Sequence, residues 1–105
     1  MESELDVIAE RHLTLSTGGE ERLIIISIGR PYQEPDQTYS CPYRISGIGA
    51  ERTKRAGGVD GIQTMQLALV MIGAELSLHI ESLRWNGENI TGFPASIHDP
   101  VLGVG

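Results

Sequence analysis

The sequence predicts an α+β domain: a four-stranded antiparallel sheet in the order β-β-β-β-α, one long helix packed across it, and an irregular C-terminal tail. Three observations carry this prediction. The stretch Asp60–Ile80, DGIQTMQLALVMIGAELSLHI, repeats apolar residues at helical spacing. The segments before it alternate apolar and polar residues with the period of two that a half-buried strand requires. Clusters of glycine and proline separate these segments where the chain must turn.

Asp6–Ser16 sets Val7, Ala9, Leu13 and Leu15 against Ile8, Glu10, His12 and Thr14, a strand with one face in the core. Thr17-Gly18-Gly19-Glu20 then supplies the positive φ that a tight hairpin needs. Arg22–Gly29, RLIIISIG, is the second strand. Its isoleucine run predicts burial on both faces and so a central place in the sheet. Arg30–Thr38 holds two prolines among polar residues and reads as a loop of the length that often carries function. Tyr39–Ile48 resumes the alternation, with Cys41, Tyr43 and Ile45 opposite Pro42, Arg44 and Ser46. Pro42 cannot donate to a ladder, so the strand starts late or has an edge there. Gly47-Ile48-Gly49 turns the chain into a short polar fourth strand, Glu51–Ala56, and Gly57-Gly58 leads to the helix.

Around the helix, at about 100° per residue, Ile62, Met65, Leu69, Ile72, Leu76 and Ile80 form the stripe assigned to the sheet. Asp60 at the N-cap and Gln63 three residues on can satisfy two orphan backbone N–H groups reciprocally. A second stripe, Leu67, Met71, Ala74 and Leu78, falls on roughly the opposite side, where a helix lying on a sheet would show polar residues. It calls for cover, from the tail or from a second subunit. Gly73 costs about 1 kcal/mol against alanine; close approach of helix to sheet is the expected reason. Asn86-Gly87 predicts a type I′ turn in a small hairpin of Leu83–Trp85 with Ile90. The domain is placed at residues 6–94 and the irregular tail at 95–105.

At 105 residues, 40% hydrophobic and 21% charged, the chain suits one globular domain with its own core. A formal net charge of −6 argues against nucleic acid as the main partner. Cys41 is the only cysteine, which excludes an intramolecular disulfide and a thiolate metal cluster. MESELDVIAE is acidic where a signal peptide is basic and then apolar. The longest apolar run, Leu67–Ala74, is shorter than the ~20 residues of a membrane span. A cytoplasmic protein with no membrane contact is expected.

Motifs of chemistry are sparse. Gly47-Ile48-Gly49 begins like a dinucleotide fingerprint, but Arg52 stands where a glycine belongs and no helix follows at once. His12, His79 and His98 with Glu10 and Glu75 form no recognised metal motif and read as surface residues. Cys41, in a strand before Pro42, reads as a small buried hydrophobe and not as a thiolate. No catalytic residue, cofactor or metal is therefore assigned. Arg44, Arg52, Lys54 and Arg55 form the one basic island. It either protects an exposed strand from edge-to-edge pairing or contacts an anion or acidic partner.

Three segments taken together, IGRP at Ile28–Pro31, CPYRISG at Cys41–Gly47 and GVDGIQTMQLAL at Gly58–Leu69, resemble a family of small bacterial proteins, a domain of unknown function. The resemblance covers roughly Ile8 to Pro94. It implies a bacterial source and a stand-alone domain, and carries over no activity and no catalytic residue.

The expected function is a non-enzymatic protein-interaction module of immunity or regulatory kind, acting as a homodimer or on another bacterial protein. Its expected contact residues are Leu67, Met71 and Leu78 on the second stripe, with Arg44, Arg52, Lys54, Arg55 and Tyr32. The alternative is a small ligand-binding domain or enzyme built on the 30–38 loop and the 44–55 island, using Tyr32, Tyr43 and Arg44. A concave pocket with converging polar groups favours the alternative, and a flat apolar patch the interaction module.

Overall fold

The computed structural model describes residues 5–49 and 51–94; the predicted tail at 95–105 lies outside the described residues. One antiparallel sheet carries one helix, in α+β order, but with six strands and not four. These are β1 (Val7–Thr17), β2 (Glu20–Gly29), β3 (Tyr32–Gln33), β4 (Tyr39–Ser46), β5 (Lys54–Gly58) and β6 (Leu83–Arg84). Helix α1 spans Gly61–Ser77, and a 3-10 turn at Ile80–Ser82 leads into β6.

Backbone chemistry explains both extra strands. Gly29 to Pro31 interrupts β2, and proline has no N–H to give. Beyond the break the chain resumes as β3 along the same edge of β4, where Tyr32 pairs with Ser40 and Gln33 with Tyr39. The 30–38 segment is thus largely a continued strand and a tight turn. Glu34 N donates to Thr38 O at 2.7 Å, and the Asp36 carboxylate accepts from Thr38 N and Oγ1. At the other end of the sheet, Leu83 and Arg84 pair with Leu15 and Thr14 of β1. Asn86 and Gly87 both have positive φ, as a type I′ turn requires, and the pair that closes it is Trp85 with Glu88 rather than with Ile90.

β2 lies between β1 and β4, the central place that its isoleucine run predicts. Burial is uneven between its faces: Ile24 and Ile26 are in the core, whereas on the other face Leu23 is 56% exposed, Ile25 half-buried and Ser27 buried. The core joins Leu13, Ile24, Ile26, Cys41, Tyr43, Ile45 and Ala56 of the sheet to Ala68, Ile72 and Leu76 of the helix.

The helix is turned relative to the predicted stripes. Its buried seam is Thr64, Ala68, Ile72 and Leu76: Ile72 and Leu76 belong to the first stripe, as expected, while Thr64 and Ala68 lie between the two stripes. Ile62 of the first stripe is 67% exposed, while Leu67 of the second packs partly against the core. Thr64 is buried at no polar cost because its hydroxyl donates to Gly61 O at 2.7 Å. The cap forms: Asp60 Oδ1 accepts from Gln63 N, and Gln63 Oε1 accepts from Val59 N, both at 2.8 Å.

Gly73 does mark a close approach, but the neighbour is the segment after β6 and not the sheet. A Cβ there would run into the Pro94 carbonyl and meet Phe93. Arg11 ties that segment down: its guanidinium lies 3.8 Å from the Trp85 ring centroid and 5.0 Å from that of Phe93, and donates to Thr91 O at 3.0 Å.

Alanine ordinarily gains about 1 kcal/mol over glycine inside a helix. Gly73→Ala is expected to lose about 1–3 kcal/mol here instead, the cost of overpacking against backbone. A lower denaturant midpoint is the predicted result; one at or above the parent's would show that Pro94 does not press on the helix.

Candidate functional site

Pairing register decides where the basic island goes. Tyr43 pairs with Lys54 and Pro42 with Arg55, and directly paired residues share a face. Lys54 therefore joins Tyr43 beneath the helix, and Arg55 and Arg44 lie on the opposite face. There Arg55 Nη1 donates to the Tyr32 hydroxyl at 3.0 Å, and Arg44 Nη2 to Thr53 Oγ1 at 2.7 Å. Tyr32 and Arg44 are accordingly separated from Tyr43 by the sheet, so the three-residue site expected beside the 30–38 segment does not assemble.

Three of the expected contact residues do converge. Arg52, Lys54 and Leu78 line a cavity of about 170 Å³ between the end of α1 and the turn that joins β4 to β5. Tyr43, Ile45 and Leu76 bring core side chains to it; Ile48, Gly49, Glu75 and His79 complete its wall. Lys54 Nζ donates to Glu75 Oε2 at 2.9 Å, and the Tyr43 hydroxyl donates to the same oxygen at 3.5 Å. Leu78, at the C-cap of α1, is 81% exposed and stands at the rim. Met71, seven residues and so about two helical turns back on the same helix face, is 38% exposed. Glu75 and His79 were visible in sequence only as an i,i+4 pair; what brings Glu75 into the site is its contact with Lys54 and Tyr43.

The chemistry of this arrangement is restrained. Burial, with the Glu75 carboxylate beside it, pushes the Tyr43 phenol up to about 12. The Lys54 charge is matched by Glu75. Cys41 lies elsewhere in the core with no exposure, its thiol pushed by burial up to about 11. Among the described residues no group of three or more His, Cys, Asp or Glu is placed to hold a metal ion. His12 contacts Glu10 at 3.3 Å, and His98 lies outside the described residues. Among the described residues no helix is long and apolar enough to cross a membrane.

The family described as Domain of unknown function (DUF6968) matches residues 9–95. The chain belongs to this family. No curated protein and no solved structure matches it. The DUF6968 match therefore fixes kinship over β1 to β6 and assigns no chemistry to the cavity.

Tyr43 gives this DUF6968 cavity a pH signature. The folded chain holds the phenolic proton up to about 12, whereas the ordinary value is 10.0. Between those values the unfolded chain binds fewer protons, so stability that is full below the lower value falls as pH rises through the window. Glu75→Gln removes the carboxylate's share and leaves burial, the larger cause. The Tyr43 midpoint is expected to drop while staying above 10.0, and the alkaline loss of stability to narrow. Phenolate absorbance titrations of parent and variant measure this; an unchanged midpoint would mean that Glu75 does not act on Tyr43.

Proposed function

We propose that this chain is a non-enzymatic protein-interaction module that receives an apolar side chain of its partner in the cavity beside Leu78. The observation that carries this reading is the cavity's size together with its charge state. Small-molecule sites usually enclose about 300–1,000 Å³; about 170 Å³ suits one anchoring side chain of the kind that dominates interface energy. Polar groups do converge on the cavity, which by itself would favour a ligand site. Lys54, Glu75 and Tyr43 are spent on one another, though. Catalysis by acid or base calls for a pKa near the working pH, and Tyr43 and Cys41 are both moved away from neutrality. What remains open to a partner is Leu78 with the half-buried Ile48, flanked by Arg52.

A bacterial, cytoplasmic protein of immunity or regulatory kind agrees with the small size and the acidic balance. That part of the reading is analogy and rests on no side chain.

Capture from cells with three tagged baits tests the reading: the parent, Leu78→Arg, and Leu23→Arg on the opposite face as control. A protein held by the parent and by Leu23→Arg but lost by Leu78→Arg supports it, the chain's own untagged copy included. Capture that survives Leu78→Arg, or none by the parent, would overturn it.

A further inference from the structure

Leu78 and His79 do more than line the cavity. They also line a second, more open hollow, formed with Ser77, Ile80, Glu81 and Ser82. The two residues thus form a ridge with a hollow on each flank. One hollow carries Arg52 beside the Lys54–Glu75 pair, and the other carries Glu81. Among the described residues neither Arg52 nor Glu81 has an ion-pair partner. Leu78 is 81% exposed on the ridge, and Met71 and Ile80, each 38% exposed, extend its apolar surface.

We infer that the occupant of the cavity is a second copy of this chain, joined across a two-fold axis beside the Leu78 ridge. The inference rests on the interaction reading above and names the partner of that same site. A projecting apolar residue beside a hollow of side-chain size, both on one patch, is self-complementary. Turned about a two-fold axis, each Leu78 enters the other copy's cavity, and the contact closes at two subunits instead of growing into a filament. The same rotation exchanges the two flanks, so Arg52 of each copy meets Glu81 of the other. Charge complementarity fixes the register, and the buried leucines supply the attraction.

Sedimentation or light scattering across a concentration series into the high-micromolar range tests the inference, on the full chain and four variants. The parent is expected to pass from monomer to dimer, and Leu78→Arg to remain monomeric. Because Leu78 is exposed at a helix end, its replacement leaves the core intact, which far-UV circular dichroism checks. Arg52→Glu and Glu81→Arg are each expected to weaken the dimer roughly three- to ten-fold, and the double variant Arg52→Glu/Glu81→Arg to regain most of that loss. The recovery is the part that a merely structural role could not produce. A parent monomeric throughout would overturn the inference, as would a dimer indifferent to Leu78→Arg or a double variant no tighter than the singles. A monomeric parent that still loses a captured protein on Leu78→Arg would sink the second copy as occupant and leave the interaction reading standing.

Discussion

Thr64, Ala68, Ile72 and Leu76 form the buried seam of α1, and the position of everything around the helix follows from it. One residue per turn faces the sheet, the first two small (Thr64 and Ala68) and the last two large (Ile72 and Leu76). At the narrow end Gly58 leaves room for the helix to enter: a Cβ there would lie 2.7 Å from Gln63 Oε1 and 3.1 Å from Thr64 Cγ2. At the broad end Ile72 and Leu76 add apolar burial worth about 1.5–3 kcal/mol each. The cavity opens at this end, under Leu76 and Leu78. A helix seated on its longest apolar residues would have turned Leu78 and Glu75 elsewhere, and neither the Lys54–Glu75 contact nor the exposed ridge would exist.

Strand alternation does the remaining work of arranging charge. Because Lys54 pairs with Tyr43, its ammonium reaches the helix and meets Glu75, while Arg55 one residue on crosses to the Tyr32 face. Basic residues close in sequence are thereby divided between two surfaces with different neighbours. The Lys54–Glu75 contact is more than one-third exposed on both sides, so its value is positional more than energetic. It holds Glu75 by the Tyr43 hydroxyl, and among the described residues Arg52 has no carboxylate partner.

Much of the sheet was legible because long alternating segments announce strands, and the Gly18-Gly19 and Asn86-Gly87 turns announce hairpins through their need for positive φ. β3 and β6, at two residues each, are too short to show any period. The helix is legible, and so is the Ile72–Leu76 half of its seam, but not the Thr64–Ala68 half. Hydrophobic weighting follows the largest apolar side chains, so Thr64 and Ala68 counted for nothing, although small residues are what close packing against glycine-bearing β5 demands. Met65 and Leu67 flank that seam and both pack against the core, which is why two stripes showed where the fold has one wide face. The candidate site was half legible. Arg52, Lys54 and Leu78 were singled out, but their convergence with Tyr43 and Glu75 depends on the β4–β5 register, which residue types alone do not specify. Gly73 signals a close contact in the sequence but not its partner, because its neighbour, Pro94, lies on a segment with no periodic signal.

The seat of the helix is the claim on which the rest stands, and the stability of two leucine replacements tests it most directly. Ala68 lies in the seam with no exposed surface and Ala74 lies on the exposed side, so both substitutions add the same atoms to the same helix. Equilibrium denaturation should show Ala68→Leu destabilised by about 1–3 kcal/mol through overpacking and Ala74→Leu within about 0.5 kcal/mol of the parent. Equal effects, or a larger loss at Ala74, would contradict this seating of the helix and with it the placement of the cavity and the Leu78 ridge.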